Sequence, residues 1–139
     1  MDPNADPPRA TGSCLCGAVR FEVHGPLRDS LACHCSQCRK TSGHYWSATR
    51  CLSAHLQVLS DAGLAWYQSS DHARRGFCRH CGSSLFWQVE GSEHISIGTG
   101  TLDAPTGLST LGHIFVKDKS DYVEIASGTP QWQADRDAA

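Results

Sequence analysis

Three short cysteine clusters constrain the fold of this chain more than any other feature of its sequence. They hold seven of its eight cysteines, at spacings of two or three residues that suit ligands of one metal ion. In chain order the clusters are Cys14-Leu15-Cys16-Gly17, Cys33-His34-Cys35-Ser36-Gln37-Cys38 and Cys78-Arg79-His80-Cys81-Gly82. The eighth cysteine, Cys51, stands apart, and we expect it to be a small buried apolar residue.

Metal ligation explains these spacings better than disulfide bonding does. Residues 1–10 are polar and contain no apolar export segment, so we expect a protein of the reducing cytoplasm, where thiols stay reduced. No apolar run in the sequence approaches the roughly 20 residues of a membrane span. The sequence therefore predicts a cytoplasmic zinc protein without a membrane segment.

The first and third clusters form the natural closed zinc site. A tetrahedral zinc needs four sulfurs at about 2.3 Å, so two loops must each supply a pair of thiolates. Each pair is followed directly by a glycine, which tolerates a positive φ, and we expect the first pair to share one face of an extended chain. We expect this set, called the clamp below, to bind a structural zinc. The clamp consists of Cys14, Cys16, Cys78 and Cys81.

The middle cluster supplies the three remaining ligands, Cys33, Cys35 and Cys38, called the trio below. Three protein ligands leave the fourth position of a tetrahedral zinc open for water or substrate, as in catalytic zinc sites. The alternative is a second structural zinc that a histidine closes. His34 would point away from its neighbours on an extended segment, so the candidates for that fourth ligand are His44, His72 and His80.

Several residues near the trio are further candidates. Arg39 and Lys40 follow Cys38 directly and could bind the carboxylates of an acidic ligand, although single charges beside a turn are often simply solvated. Trp46 is close enough in sequence to form a wall of a pocket. His113 precedes an apolar run, and we expect it to pack or form a hydrogen bond in the core.

Short β patterns dominate the rest of the chain. At 139 residues it has the usual size of one domain, and no long stretch has a helical period. We predict a mainly β domain of short antiparallel sheets over residues 11–133, between a disordered leader (1–10) and a disordered tail (134–139). Strands are expected at 18–23, within 47–59, and at 84–89, 94–97, 113–116 and 122–125, with a short helix within 35–42 or near Leu102.

The charge balance argues against two classes of partner. The formal net charge is -2, and zinc bound to thiolates would make it more negative. Nucleic acids and anionic membranes are not attracted to such a surface on average. We therefore expect neither as a partner, and a nucleic-acid-binding zinc ribbon is disfavoured.

The cysteine motifs carry a family resemblance that extends over about residues 11–133. The chain resembles the glutathione-dependent formaldehyde-activating enzyme family, whose domain is shared with centromere protein V. The motifs are Gly12-Ser13-Cys14-Leu15-Cys16-Gly17-Ala18-Val19, Cys33-His34-Cys35-Ser36-Gln37-Cys38-Arg39-Lys40-Thr41-Ser42-Gly43 and Arg75-Gly76-Phe77-Cys78-Arg79-His80-Cys81-Gly82. The similarity continues through Gly100-Thr101-Leu102-Asp103, His113-Ile114-Phe115-Val116 and Gly128-Thr129-Pro130-Gln131-Trp132.

The resemblance implies a zinc-bound β fold of the Mss4-like kind, with one zinc on the clamp and a second on the trio. Because the trio leaves one position open, we expect the second zinc to be the more easily lost. The resemblance also implies a carbon-sulfur lyase that joins glutathione to formaldehyde as S-hydroxymethylglutathione. Zinc is then the expected cofactor and glutathione, or another small thiol, the expected partner. A second function class stays open, because Mss4-like folds include binding proteins: a non-enzymatic zinc-stabilised module that binds a protein or glutathione.

Overall fold

Short strands joined by turns make up most of the protein. The computed structural model describes residues 6–136, in which there are ten β-strands, one α-helix and three 3-10 helices. The strands are β1 (Ala10–Ser13), β2 (Val19–Val23), β3 (Arg28–Cys33), β4 (Trp46–Leu52), β5 (Leu56–Asp61), β6 (Leu64–Gln68), β7 (Ala73–Cys78), β8 (Ser84–Val89), β9 (His94–Gly98) and β10 (Thr110–Ile114). The helices are α1 (Ser36–Ser42) and the 3-10 turns Ser53–His55, Thr99–Thr101 and Val116–Asp118.

The strands form two sheets. A three-stranded sheet has the order β1-β2-β5, and a seven-stranded sheet has the order β10-β3-β4-β9-β8-β7-β6. All pairings are antiparallel except that of β10 with β3. The predicted mainly β domain of short antiparallel sheets is therefore confirmed.

The core lies where the small sheet packs on the large one. Val19, Phe21 and Val23 alternate with more exposed residues along β2, as the sequence pattern predicts, and all three are buried. Phe21 packs edge-to-face on Phe86 of β8, with ring centroids 5.4 Å apart, beside the buried Ile97 of β9. Burying each of these side chains stabilises the fold by about 1.5–3 kcal/mol, which fixes the two sheets and the loops at their ends.

Helix α1 occupies the segment in which a short helix is predicted. The Cys35 side chain caps its first turn by accepting a hydrogen bond from the backbone N–H of Cys38. Gly43 ends the helix in the left-handed conformation (φ 86°), and its N–H donates to the Arg39 carbonyl at 2.8 Å. The cap is itself a trio cysteine, so folding of this helix positions the trio.

The strand predicted at 122–125 is wrong. The segment forms turns and irregular backbone, although Val123 is buried. Residues further along the chain take the edge position beside β10: His113 N–H donates to the Pro130 carbonyl, and Trp132 N–H donates to the His113 carbonyl. These residues occupy the edge beside β10, so the segment 122–125 does not pair there.

Strand β10 also differs from the expectation at 113–116. It ends at Ile114, because Phe115 adopts a left-handed conformation (φ 55°) that no extended strand contains, and a 3-10 turn follows at Val116–Asp118. Its pairing with β3 is parallel because the chain reaches that edge through a long connection rather than a hairpin.

The predicted leader (1–10) and tail (134–139) lie partly outside the described residues, which exclude 1–5 and 137–139. Pairing starts at Arg9, whose N–H donates to the Val23 carbonyl at 2.7 Å, and β1 begins at Ala10. At the other end, the Ala134 carbonyl accepts from Phe115 N–H at 3.0 Å. Over residues 6–136, the structure contains no helix with the length and apolarity to cross a bilayer.

Two candidate metal centres

The clamp sulfurs converge from two loops that are far apart in sequence. All four Sγ atoms lie within 4.8 Å of one another. Cys16 Sγ is 3.7 Å from Cys14 Sγ and 3.7 Å from Cys78 Sγ. A tetrahedron with metal–sulfur bonds of about 2.3 Å has edges of about 3.8 Å, so these separations fit a zinc ion, and the spacing-based grouping matches the geometry.

Both clamp loops are tight turns. Cys14 to Gly17 forms a turn closed by the Gly17 N–H and the Cys14 carbonyl at 3.3 Å, so the expectation of an extended chain there is wrong. Gly17 (φ 84°) and Gly82 (φ 82°) have the positive φ predicted from their positions. Leu15 N–H donates to Ser83 Oγ at 2.9 Å and joins the two loops.

The second clamp loop also favours a thiolate. Ser83 Oγ lies 3.2 Å from Cys81 Sγ, and this hydroxyl hydrogen bond lowers the pKa of Cys81 to about 5. A thiol with that pKa is ionised at neutral pH, which is the form that binds metal. Loop geometry and electrostatics therefore both suit a closed four-sulfur site.

The trio comes from one short segment at the end of a strand. Cys33 is the last residue of β3, Cys35 is the N-cap of α1, and Cys38 lies in the first turn of that helix. Their Sγ atoms all lie within 4.8 Å of one another, which also fits three corners of a tetrahedral zinc. The strand end, cap and helix together aim three sulfurs at one point.

Negative charge in the trio collects on its central sulfur. The thiols of Cys33 and Cys38 form hydrogen bonds with Cys35 Sγ, and these lower the pKa of Cys35 to about 2. The same interaction raises the pKa of Cys33, because its proton is shared with the Cys35 thiolate. The helix N-terminus further favours this thiolate, since the Cys38 N–H points at Cys35 Sγ from 3.4 Å.

No described side chain completes the trio. Among residues 6–136, no histidine, aspartate or glutamate has a ligand atom within 4.8 Å of all three sulfurs, so His44, His72 and His80 do not close the site. His34 turns away from its cysteine neighbours, as predicted, and its Nε2 lies 2.8 Å from Nδ1 of His113. His113 thereby forms the expected core hydrogen bond.

The trio forms part of the wall of a cavity of about 450 Å³, called the cleft below. Trp46 and Trp87 line the same cavity, which confirms the prediction that Trp46 helps to form a pocket. A cavity of this size holds a small peptide-like molecule. The trio cysteines therefore border a space that a substrate could occupy.

The charges that line the cleft are mainly positive, although the whole chain has a net charge of -2. Neither Arg39 nor Lys40 lines it: Lys40 is exposed and Arg39 is half-buried outside the cavity. The cationic lining residues are Arg28, Arg50, Arg75, Lys117 and Arg136, and the acidic ones are Asp118 and Asp135. This concentration of cations favours an anionic occupant.

Arg75 is the residue whose place at this site sequence reasoning missed. It lies in β7 and is only 9% exposed, and its Nη2 is 3.5 Å from Cys38 Sγ. A charged residue within a strand usually indicates a solvated face, so only the fold reveals this contact. Cys51, by contrast, is buried as predicted, and burial raises its pKa to about 11.

Comparison with known proteins places this geometry in a family. The sequence model of the glutathione-dependent formaldehyde-activating enzyme family matches residues 9–118, which is most of the chain. The chain belongs to this family. The clamp and the trio both lie within the matched range, so the two candidate metal centres belong to the part of the chain that defines the family.

Two curated relatives are similar to this chain over most of its length. A putative glutathione-dependent formaldehyde-activating enzyme of Halomonas elongata is 33% identical over 84% of this chain and 80% of its own length. An uncharacterized lyase of Schizosaccharomyces pombe is 25% identical over 92% of this chain and 93% of its own length. The similarity thus spans nearly the whole of each protein.

A solved structure supports the fold. A Rhodobacter sphaeroides protein whose crystal structure is known is 31% identical, with a TM-score of 0.59, over 72% of this chain and 97% of its own. Over the matched part of the chain, the fold is therefore similar to that of an experimentally determined structure.

Proposed function

We propose that this protein is a zinc-dependent carbon-sulfur lyase that joins a small thiol, glutathione in the first instance, to formaldehyde and cleaves the adduct in reverse. The observation that carries the proposal is the trio itself: three sulfurs on the wall of a cationic cleft, with no fourth side-chain ligand from residues 6–136. The family match and the names of the two curated relatives support this type of reaction.

The reaction is an addition that balances without an oxidant or reductant. The thiol sulfur forms a bond to the carbonyl carbon of formaldehyde, the carbon-oxygen π bond breaks, and the thiol proton ends on the oxygen to give a hydroxymethyl thioether. When bound to Cys33, Cys35 and Cys38, zinc would supply positive charge that favours the thiolate form of the substrate. The residues of the cleft bind and orient the reactants.

The cationic side chains of the cleft bind the thiol substrate. Glutathione carries two carboxylates at neutral pH, and a guanidinium or ammonium group can hold a carboxylate through charged hydrogen bonds. Arg50 and Lys117 line the cavity and come from other elements than the segment that carries the trio. We assign carboxylate binding to these two side chains rather than to Arg39 and Lys40, which lie outside the cavity.

Thiols add to formaldehyde without a catalyst, so the rate with enzyme must be compared with the uncatalysed rate. Adduct formation from glutathione and formaldehyde is followed with zinc-loaded wild type, Cys35→Ser, Cys51→Ser and buffer alone. We expect wild type and Cys51→Ser to exceed the buffer rate at least tenfold, and Cys35→Ser to match it. Cys51→Ser is the matched control, because it removes a buried cysteine that lies outside both metal centres.

A different outcome would reject the enzyme. Equal rates for wild type, Cys35→Ser and buffer would remove the catalytic function. Glutathione binding measured by calorimetry then decides what remains. Binding that Cys35→Ser abolishes would identify a glutathione-binding module, and no binding would leave a zinc-stabilised scaffold for a partner protein.

A further inference from the structure

Arg75 is a buried cation without an acidic partner in the part of the chain that the structure describes. Its side chain is 9% exposed, and no carboxylate of residues 6–136 lies within 4.0 Å of its guanidinium. Removing a charge from water costs several kcal/mol unless another charge or a set of hydrogen bonds compensates it. The burial of Arg75 therefore has to be compensated by its other contacts.

The contacts of Arg75 lead to the trio. Its Nη2 lies 3.5 Å from Cys38 Sγ, and its Nε and Nη2 donate to Gln37 Oε1 at 3.4 and 3.3 Å. Gln37 is held in turn, because its Nε2 donates to the Ser69 carbonyl at 3.0 Å. The Trp46 ring lies 5.7 Å from the guanidinium carbon. These contacts fix the guanidinium against a trio sulfur.

The charge of a zinc-bound trio and the charge of Arg75 would be equal and opposite. Three thiolates around one Zn²⁺ carry a net charge of -1, and Arg75 carries +1, so together they are neutral. Without Arg75 the half-buried site would hold an uncompensated negative charge, and an anionic fourth ligand would add a second one. We infer that Arg75 is the counter-ion of the trio. Its positive charge stabilises the metal-thiolate centre and allows a substrate thiolate to bind there.

Arg75 is a positioning residue in this account, since it acts through the Cys38 sulfur. The neighbouring Arg74 shows what an ordinary arginine of this strand does. Arg74 is exposed on the opposite face, stacks 3.8 Å from the Trp66 ring centroid and donates to Gln88. It therefore carries the same charge one residue away, without a contact to either cysteine set.

The first experiment measures metal retention rather than activity. Wild type, Arg75→Gln, Arg75→Lys and Arg74→Gln are loaded with two zinc ions, and transfer of zinc to a chromogenic chelator is followed. The clamp zinc serves as the internal reference for correct folding. We expect Arg75→Gln to lose its second zinc at least about tenfold faster than wild type, as is typical for loss of an outer-shell partner.

The controls separate charge from shape. Arg75→Lys keeps the positive charge and should stay within about threefold of wild type, and Arg74→Gln should not differ from wild type. Equal zinc release by Arg75→Gln and wild type would overturn the inference. Release by Arg75→Lys as fast as by Arg75→Gln would overturn it as well, because geometry rather than charge would then account for the effect. Loss of both zincs from Arg75→Gln would assign Arg75 to the fold instead and also contradict the inference.

The second experiment uses 2-mercaptoethanol, a thiol without carboxylates. The claim that Arg75 favours thiolate binding at the trio rests on the proposed function. This probe separates the role of Arg75 from the proposed function. Weaker binding of 2-mercaptoethanol to Arg75→Gln, restored by Arg75→Lys, supports the counter-ion role. Unchanged binding of 2-mercaptoethanol with loss of glutathione binding would make Arg75 a carboxylate contact and overturn it. No thiol binding by wild type would reject the proposed function, while zinc release still decides the role of Arg75.

Discussion

Cys16 Sγ lies 3.7 Å from Cys78 Sγ although 62 residues separate them in sequence. The first belongs to the loop between β1 and β2 of the small sheet, and the second ends β7 of the large sheet. A metal ion shared by these sulfurs would join the two sheets at the end of their common core. The clamp is therefore expected to contribute to stability, and the trio to function.

Loss of a clamp ligand should unfold the protein or leave it only marginally stable. We predict that Cys78→Ser lowers the free energy of unfolding by at least about 3 kcal/mol, because a structural zinc contributes more than this and a domain has only about 5–15 kcal/mol in total. Urea denaturation followed by circular dichroism measures the change. After zinc is removed by a chelator, the difference from wild type should largely disappear. An unchanged midpoint in the presence of zinc would contradict the structural role.

Loss of one trio ligand should have a different effect. Cys35→Ser is predicted to reduce zinc from two ions to one per chain while lowering the free energy of unfolding by less than Cys78→Ser does, because the trio closes a loop of only a few residues and constrains little of the unfolded chain. Elemental analysis and urea denaturation check both halves. Loss of both ions, or a stability change as large as that of Cys78→Ser, would be inconsistent with two separate centres.

Cys51 should behave as an inert thiol. It is 3% exposed and burial raises its pKa to about 11, so at pH 8 only about one thiol in a thousand is ionised. We predict that Cys51 is not rapidly modified when a thiol reagent such as dithionitrobenzoate is added to the zinc-loaded native protein at pH 8. One rapidly modified cysteine, identified as Cys51 by mass spectrometry, would refute this.

The hydrogen-bonded pair of His34 and His113 predicts a dependence of stability on pH. Burial, with smaller contributions from nearby cations, lowers the pKa of His34 to about 4, and burial also lowers that of His113. An unfolded histidine binds its proton near pH 6.5, so the unfolded state gains protons first as the pH falls. The contribution of neutral His34 to the free energy of unfolding is fully present above pH 6.5. It decreases as the pH falls towards 4, by about 3 kcal/mol in total.

His34→Phe tests this dependence, because it keeps a ring in the core but removes the titration. Between pH 6.5 and 5 the variant should lose less stability than wild type, while any loss of metal in acid is common to both proteins. A wild-type pH profile that runs parallel to that of His34→Phe would show that the buried imidazole does not contribute.

The cysteine groups and helix α1 were predictable because their determinants are local. Ligand spacing, a following glycine and a polar segment between caps are visible within a few residues. Strand β2 was predictable for the same reason, since Val19, Phe21 and Val23 face one side. At 122–125 the same kind of alternation misled, because whether a strand forms depends on a free sheet edge, and residues 130–134 already pair beside β10.

The cleft could not be predicted, because its lining comes from elements far apart in sequence. Arg50, Arg75 and Lys117 lie on β4, β7 and the 3-10 turn after β10, and only the order of strands in the sheet brings them to one cavity. Proximity in sequence to the trio favours Arg39 and Lys40 as ligand contacts. On a helix, however, consecutive residues point in different directions, and neither side chain reaches the cavity.

The central claim is that the trio holds a metal ion and presents its fourth position to a thiol. A crystal structure of the zinc-loaded protein with glutathione tests it most directly. The account predicts an ion bound by Cys33, Cys35 and Cys38 and a glutathione sulfur at about 2.3 Å from it, with the rest of the peptide in the cleft. A side chain of the same protein at that fourth position, or a disulfide within the trio and no ion, would contradict the account.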